Sequence, residues 1–211
     1  SGRSHIMGIS RRQFLHGLAA GAGAAALGPQ LLWGARQSDA AKPNIIVIFT
    51  DDQGWGDLSC FGSKEIDTPR IDQMAREGTK LTDFYVGAPV CSPSRAALLT
   101  GCYPARLGFG HLALYPGIPR GLHPDEVTVA DVLKAQGYAT TCIGKWHVGG
   151  NRLTKKDGDL LVYHPLRRGF DEFYGFNCNG SWARPLVRGY ERLEDVDPRK
   201  ITGQLTEETI R

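Results

Sequence analysis

A cysteine, a proline and an arginine lie at alternate positions in VCSPSRAALLTG, residues 90–101. The residues after Pro93 predict a helix that ends at Gly101, which places Cys91 at the helix N-terminus and Arg95 one turn into the helix. Such an N-terminus attracts anions, and a guanidinium adds forked donors for oxygen atoms. By these residues alone Cys91 could be a buried thiol, a helix cap, half of a disulfide, a thiolate nucleophile or the precursor of something else.

Two more polar clusters follow apolar runs. Asp51 and Asp52 end NIIVIFTDD, and Lys145 and His147 lie in GKWH. Adjacent carboxylates oppose each other's ionisation unless a cation such as Ca²⁺ or Mg²⁺ neutralises them. Lys145 and His147, at alternate positions of a strand end, would face one pocket. Taken alone, each cluster is more typical of an ordinary role: turn-forming aspartates, and a surface lysine beside a hydrogen-bonded histidine.

The elements that must position these residues alternate along the chain. The run at 44–52 predicts a central strand of a parallel sheet, buried on both faces. Further along, the pattern predicts a helix from Pro69 to a stop at Gly78, a strand at 79–87, a helix at 127–137 and a strand at 138–147. Residues 149 to about 200 predict a long irregular excursion over the active face, and LTEETIR predicts the first turns of a helix that the chain end cuts off. We therefore expect an α/β fold with a mainly parallel central sheet flanked by helices, incomplete at the C-terminus.

Composition bounds the function classes. The 211 residues are 41% hydrophobic and 22% charged, which is ordinary for a globular chain. The net charge of +3 is small and derives in part from an N-terminal arginine cluster, so we expect no nucleic-acid partner. The five cysteines are odd in number and form no C-x-x-C pair, which argues against a zinc ribbon or a dense disulfide scaffold. At least one of them should be free or modified.

The N-terminal segment is typical of a targeting segment rather than a folded domain. Arg11 and Arg12 directly precede Phe14 and a Gly/Ala-rich apolar stretch, the layout of a twin-arginine export signal. The alternative is an Ala-rich amphipathic or buried helix, which the glycines would weaken. We expect residues 1–41 to be a cloning remnant plus this signal, and the protein to be exported by the Tat machinery to the periplasm or beyond. Because that route carries folded proteins, any cytosolic modification would precede export.

Four segments together resemble one family. APVCSPSRAALLTG (88–101) resembles the sulfatase signature C-x-P-x-R, and GYATTCIGKWH (137–147) resembles the second signature. NIIVIFTDDQGWGD (44–57) is similar to the family's opening strand, and RRGFDEFYGF (167–176) is typical of arylsulfatase-like members. The resemblance implies an alkaline phosphatase/sulfatase-like fold, with residues 42–211 forming the N-terminal portion of a sulfatase catalytic domain.

The resemblance also implies a fate for Cys91. In this family the cysteine is oxidised to formylglycine by a formylglycine-generating enzyme. One hydroxyl of the hydrated aldehyde attacks the sulfur of a sulfate ester, and loss of the proton from the other lets the sulfated enzyme collapse and release sulfate. Asp51, Asp52 and the modified Cys91 would ligate a divalent cation, commonly Ca²⁺, with Mg²⁺ as the alternative.

Three further catalytic roles follow from the same likeness. Arg95 would steady the diol, Lys145 would contact the diol and the sulfate oxygens, and His147 would assist the collapse. The remaining metal ligands and the leaving-group acid would lie downstream of residue 211, so we expect these residues alone to be inactive. Substrates would be sulfate esters, with sulfated polysaccharides included. The competing interpretations are a phosphonate or phosphodiester hydrolase of the same superfamily, and a truncated domain that binds sulfated glycans without cleaving them.

Overall fold

The computed structural model describes residues 42–110, 112–115, 118–149, 161–176, 186–194 and 196–211. The chain divides into two units after Thr50. Residues 42–50, the described part of the first unit, have neither helical nor strand structure. The helices and strands of the described residues belong to the second unit. No helix within the described ranges has the length and apolar character that a membrane crossing requires.

Two segments predicted as strands are not strands. In the run at 44–52, Ile46 and Ile48 are 78% and 77% exposed. Residues 79–87 are irregular apart from a turn at residues 82–83, and Phe84 and Tyr85 are exposed. A strand exists only where its backbone pairs with a neighbouring strand, and β-propensity reports fit to such a surface rather than an intrinsic preference. Neither segment takes part in a ladder within the described residues. The apolar pattern was therefore an insufficient signal.

The helices agree with the sequence. The described residues form four α-helices, α1 Pro69–Glu77, α2 Cys91–Thr100, α3 Val129–Ala135 and α4 Ile201–Ile210. Pro69 opens α1 because its fixed φ suits a first helical position. Gly101 ends α2 in the left-handed region, with φ of 69°, and its N–H donates to Ala97. Thr128 begins α3 through a reciprocal capping box with Asp131.

One four-stranded sheet has the order β1-β2-β3-β4, with β1 Thr141–Lys145, β2 Glu172–Phe176, β3 Val187–Arg188 and β4 Glu191–Arg192. β1 and β2 are parallel, and the other two pairings are antiparallel. The α/β class is confirmed. The prediction of an irregular excursion at 149–200 was wrong for β2, β3 and β4, which all lie in that range. In β2, Gly175 lies opposite Gly144 so closely that an added Cβ would meet that residue's carbonyl. Residues 150–160, 177–185 and 195 of that excursion lie outside the described residues.

The core lies between α2, the sheet and the loops that join them. Its buried members share apolar side chains and come from separate parts of the chain: Ala96, Phe109, Leu114, Leu122, Trp146, Val148, Phe173 and Val187. Trp146 and Val148 follow directly after β1, so the chain that leaves the strand is anchored in the core rather than exposed. This anchoring fixes the polar residues Lys145 and His147, which alternate with them.

Candidate active site

Three charged side chains converge at the end of β1. The ammonium Nζ of Lys145 donates to Oδ2 of Asp51 at 2.6 Å, and Nη2 of Arg95 lies 3.6 Å from Oδ1 of the same carboxylate. Nη1 of Arg95 also donates to the carbonyl of Lys145 at 2.7 Å. These contacts join three residues that are far apart in the sequence, with 44 positions between Asp51 and Arg95 and 50 between Arg95 and Lys145. We call this cluster the charged triad (Asp51, Arg95, Lys145).

The triad carries an excess of positive charge. Burial opposes ionisation of Asp51, but the hydrogen bond and charge of Lys145, with the charge of Arg95, hold the pKa of that carboxyl below its usual range. The side chains of Lys145 and Arg95 are only 7% and 12% exposed, whereas that of Asp51 is 43% exposed. One carboxylate thus faces two sheltered cations. The cluster is suited to hold an additional anion.

Cys91 is linked to the triad through Arg95, which lies on the same helix. It is the first residue of α2 and is partly buried, and Arg95 is four residues later on the same helix face. The first N–H groups of a helix have no intrahelical acceptor, so they face outward from this end. Within β1, burial raises the pKa of the Cys142 thiol to about 12. Cys142 therefore has no thiolate character at neutral pH.

His147 has an uncommon backbone and one uncommitted nitrogen. Its Nε2 lies 2.9 Å from the carbonyl of Leu114, and because a carbonyl only accepts, Nε2 carries the proton. Nδ1 is buried and has no hydrogen-bond partner among the described residues. Burial, with the charges of Lys145 and Arg95 adding to it, lowers the pKa of His147 to about 4. The neutral ring therefore offers a lone pair at Nδ1.

Backbone strain marks two of the predicted residues. Within the described ranges, the non-glycine residues with positive φ are Asp52 at 56° and His147 at 57°. Left-handed backbone is unfavourable for such residues, and it persists where surrounding structure imposes it, often at functional sites. The left-handed conformation turns the chain sharply at Asp52, directly after Asp51, and again at His147, directly after the buried Trp146. Both turns border the charged triad.

The segment after β1 is fixed from three directions. The backbone N–H of Trp146 donates to Phe176 at 2.9 Å, and its indole Nε1 donates to the carbonyl of Tyr163 at 2.9 Å. The N–H of Leu122 donates to the carbonyl of Val148 at 2.7 Å. These bonds hold the residues on both sides of His147. The site residues of this segment are therefore placed by the core rather than by a loose loop.

Some of the predicted site residues are in direct contact in the structure, whereas others are close to them only through the chain. Asp51, Arg95 and Lys145 touch one another, whereas Cys91 and Asp52 are placed near them by the chain. Sequence reasoning missed Ser92, which is fully buried and whose Oγ accepts from the N–H of Leu114 at 3.0 Å. Its position inside C-x-P-x-R was the available signal. Leu114 contacts Ser92 and His147 through its backbone, so its side-chain type gave no sequence signal.

The cysteines show no disulfide among the described residues, where Cys60, Cys91, Cys102 and Cys142 are free thiols. Cys178 lies outside the described residues. The expectation that at least one cysteine is free or modified agrees with these four thiols, each of which is partly buried.

Two adjacent aspartates are the oxygen donors that the site offers to a divalent cation. Asp51 and Asp52 supply carboxylate oxygens, the ligand type that Ca²⁺ and Mg²⁺ require. Within the described ranges, however, no group of three or more His, Cys, Asp or Glu side chains is arranged to hold a metal ion. Ca²⁺ takes roughly six to eight oxygen ligands. The aspartates fit a hard cation in type and would supply only part of its shell.

Two family models match the sequence of this chain. The Sulfatase family model matches residues 43–208, and a model of the TAT (twin-arginine translocation) pathway signal sequence matches residues 8–28. The protein is therefore exported across the cytoplasmic membrane, as the twin arginines predicted. The structure of the signal lies outside the described residues.

Relatives agree with the family match. Human steryl-sulfatase is 42% identical over 183 residues, covering 82% of this chain and 31% of that protein, and human arylsulfatase A is 48% identical over 136 residues, covering 64% and 25%. The solved structure of Ps i-CgsB has a TM-score of 0.71 and 34% identity, covering 80% of this chain and 40% of that one. A structure of Ps i-CgsB in complex with k-i-k-neocarrahexaose has a TM-score of 0.66 and 32% identity, covering 76% and 38%. The chain spans about a quarter to a third of the length of these curated relatives. With its alkaline phosphatase-like α/β fold and a family match over most of its length, the chain belongs to the sulfatase family.

Proposed function

We propose that residues 42–211 form the N-terminal portion of a sulfatase catalytic domain that hydrolyses sulfate esters. The observation that carries the proposal is the charged triad, in which Lys145 and Arg95 both contact the carboxylate of Asp51, with Arg95 in the first turns of α2. A sulfate ester is an anion whose charge must be held while the sulfur is attacked. Two sheltered cations and a helix N-terminus supply that charge where Cys91 begins the helix.

Cys91 is the proposed precursor of formylglycine, because it occupies the modified position of C-x-P-x-R in a family that depends generally on this residue and on a metal. The hydrated aldehyde supplies one hydroxyl that attacks the ester sulfur and a second whose deprotonation releases sulfate. Asp51 and Asp52 would hold a divalent cation, Ca²⁺ or Mg²⁺, which lowers the pKa of the attacking hydroxyl.

The chain's own residues divide the remaining work. The guanidinium of Arg95, four residues after Cys91, fixes the attacking group against the helix N-terminus. Lys145 reaches both the nucleophile and the sulfate oxygens from the end of β1. His147 accepts the second hydroxyl proton at Nδ1, since Nε2 is committed to Leu114. Its low pKa keeps Nδ1 unprotonated at neutral pH.

The substrate is a sulfate ester, and a sulfated polysaccharide is the proposed natural class. The name steryl-sulfatase supports a sulfate ester in general, and the neighbour solved with k-i-k-neocarrahexaose supports the polysaccharide class. The partners in the proposal are the formylglycine-generating enzyme before export and the Tat machinery during it.

The first test is peptide mass spectrometry of the segment around residues 80–106, from protein co-expressed with a formylglycine-generating enzyme. We expect the mass of an aldehyde in place of the thiol at Cys91, while Cys102 in the same peptide keeps its thiol. A Cys91→Ser variant, expressed in the same way, is the matched control. An intact Cys91 alongside a modified control substrate of the same enzyme contradicts the proposal and favours a domain that binds sulfated glycans without cleaving them.

A further inference from the structure

Ser92 is connected to a site histidine through the backbone of one other residue. Its Oγ accepts from the N–H of Leu114 at 3.0 Å, and the carbonyl of Leu114 lies 2.9 Å from Nε2 of His147. Ser92 is fully buried, and Leu114 and His147 are each 4% exposed. We call this arrangement the Leu114 clamp (Ser92, Leu114, His147). Because little water reaches these polar groups, each depends on the partner that the fold provides.

The clamp fixes the direction of the Leu114 carbonyl. The N–H and the carbonyl of a residue lie on either side of its Cα and are related by only two soft dihedrals. Ser92 fixes the N–H of Leu114, and the Leu114 side chain belongs to the apolar core. Little freedom is left for the carbonyl that follows. Ser92 therefore helps to set where the acceptor for His147 lies.

The carbonyl of Leu114 determines which nitrogen of His147 carries the proton. A neutral imidazole has one N–H and one lone pair, and a carbonyl only accepts. The 2.9 Å contact therefore stabilises the tautomer with hydrogen on Nε2 and the lone pair on Nδ1. Nδ1 is buried and has no hydrogen-bond partner in the part of the chain that the structure describes. Within that part, no second bond selects the tautomer.

One face of α2 is joined to the end of β1 in two ways. Ser92 and Arg95 are three residues apart, which places them on the same face of the helix. Nη1 of Arg95 donates directly to the carbonyl of Lys145 at 2.7 Å. Ser92 instead acts through Leu114 on His147. Both predicted site residues at the end of β1 are thus placed relative to this helix.

We propose that Ser92 is a positioning residue that fixes the tautomer of His147 through the backbone of Leu114. With the clamp intact, Nδ1 presents its lone pair to the hydroxyl proton that His147 accepts in the proposed mechanism. Without the Ser92 hydroxyl, the buried N–H of Leu114 loses its acceptor, and the segment moves to find another. The inference rests on the proposed function for its catalytic meaning. It goes beyond that function by giving the residue next to Cys91 a part in orienting the proton acceptor.

Nitrogen NMR of the chain with isotope-labelled histidine reads the tautomer, because protonated and unprotonated ring nitrogens give separate signals. The spectra are recorded at neutral pH, where His147 is uncharged, and a His147→Gln variant assigns its signals. We expect the wild type to carry the proton on Nε2. In Ser92→Ala the ratio of the Nε2–H to the Nδ1–H tautomer should fall about fivefold, the effect of losing one ordinary hydrogen bond. His164, which is bonded at both ring nitrogens, should be unchanged and is the internal reference.

Two further variants test whether the Ser92 hydroxyl itself is responsible. Ser92→Thr keeps an Oγ acceptor and should keep the wild-type tautomer ratio. Ser94→Ala removes a hydroxyl from another buried position of α2, 6% exposed, and should also match the wild type. A change in Ser94→Ala as large as that in Ser92→Ala would overturn the inference, since general loosening of the helix would then suffice. Should Ser92→Ala fail to fold by circular dichroism, Ser92→Cys replaces it, because a thiol of similar size is a weak acceptor.

The outcomes separate this inference from the proposed function. If folded Ser92→Ala keeps the wild-type tautomer ratio, the inference is overturned while the proposed function stands. If the wild type carries the proton on Nδ1, the inference and the role of His147 as proton acceptor both fail. The spectra are recorded with Cys91 as a thiol. Absence of formylglycine in the mass spectrometry test therefore overturns the proposed function without altering the tautomer result.

Discussion

Asp51 is shared by two cations whose side chains are almost wholly sheltered from solvent. Counted by its own three side chains, the charged triad has two cations and one carboxylate, an excess of one positive charge. Because sheltered charges are screened weakly by salt, that excess acts strongly on an anion that enters the site. The triad is thus suited to bind an anion even before the chemistry of Cys91 is considered.

Lys145→Met should lower the affinity for inorganic sulfate about tenfold, because it removes one charge-assisted donor from the site. Lys134→Met is the matched control. Lys134 forms an ion pair of the same length, 2.6 Å, with Asp171 at a place apart from the triad, and its side chain is 50% exposed. Calorimetric titration with sulfate measures both variants. Equal affinities for Lys145→Met and the wild type would remove Lys145 from the anion site.

A second prediction concerns His164, which is fully buried. Its Nε2 donates to Gly189 at 2.9 Å and its Nδ1 accepts from the N–H of Leu166 at 3.1 Å, so the neutral ring is fully bonded. Burial, aided by the charge of Arg167, lowers the pKa of His164 to about 4. Between pH 6.5, the ordinary pKa of histidine, and about pH 4, His164 binds a proton in the unfolded chain but not in the folded chain. The stability contributed by the neutral ring is therefore complete above pH 6.5 and is lost as pH falls toward about 4.

Urea unfolding at about pH 7 and about pH 5 tests this expectation. The wild type should be less stable at the lower pH. His164→Gln should be less stable at neutral pH but lose less on acidification, while the exposed His123→Gln should behave as the wild type. His147, whose pKa is also lowered to about 4, should leave part of the acid dependence in place. An acid dependence that His164→Gln leaves undiminished would contradict the assignment.

At the level of elements, sequence reasoning succeeded where the signal was local. The end of α2 followed from Gly101, whose positive φ a helix stop requires, and the start of α1 from Pro69. Both signals act within one helical turn. The placement of Cys91 at a helix N-terminus, on which the candidate site depends, was predictable for the same reason.

Sheet structure was harder to predict because pairing joins distant residues. β2 was missed since its sequence EFYGF sits among arginines, glycines and aromatics, and only its parallel partner β1, about thirty residues earlier, makes it a strand. The run at 44–52 had every compositional mark of a strand and forms none in the described residues. For the site, the residue types of the triad were predictable, whereas the contact of Asp51 with Lys145 required the fold.

Gly175→Ala tests the pairing that positions the end of β1. Its Cβ would collide with the carbonyl of Gly144, so we expect a loss of about 2 kcal/mol or more in the free energy of unfolding. Sulfate affinity should fall as well, because Lys145 ends the displaced strand. Gly56→Ala is the control, since its Cβ would meet no atom within 4 Å. Urea unfolding and calorimetry provide the two readouts, and equal stability of the two variants would refute the packing argument.

For the whole molecule, export and maturation are ordered by the twin-arginine route. The double variant Arg11→Lys, Arg12→Lys should leave the protein in the cytoplasm, because the pathway recognises the arginine pair itself. Cell fractionation followed by immunoblotting measures this, with Arg36→Lys as a control outside the pair. The retained protein should still carry formylglycine at Cys91, since modification precedes transport in our proposal. Retained protein with only thiol at Cys91, beside modified exported wild type, would reverse that order.

The clamp on Leu114 also makes the site observable without a ligand. Its amide hydrogen is held by a fully buried serine hydroxyl, so exchange with deuterated solvent requires the junction of α2, the Leu114 segment and His147 to open. The exchange rate of the Leu114 amide thus reports how often this junction opens. The measurement needs no modification of Cys91, and it would distinguish a loosened site from an assembled site that is inactive.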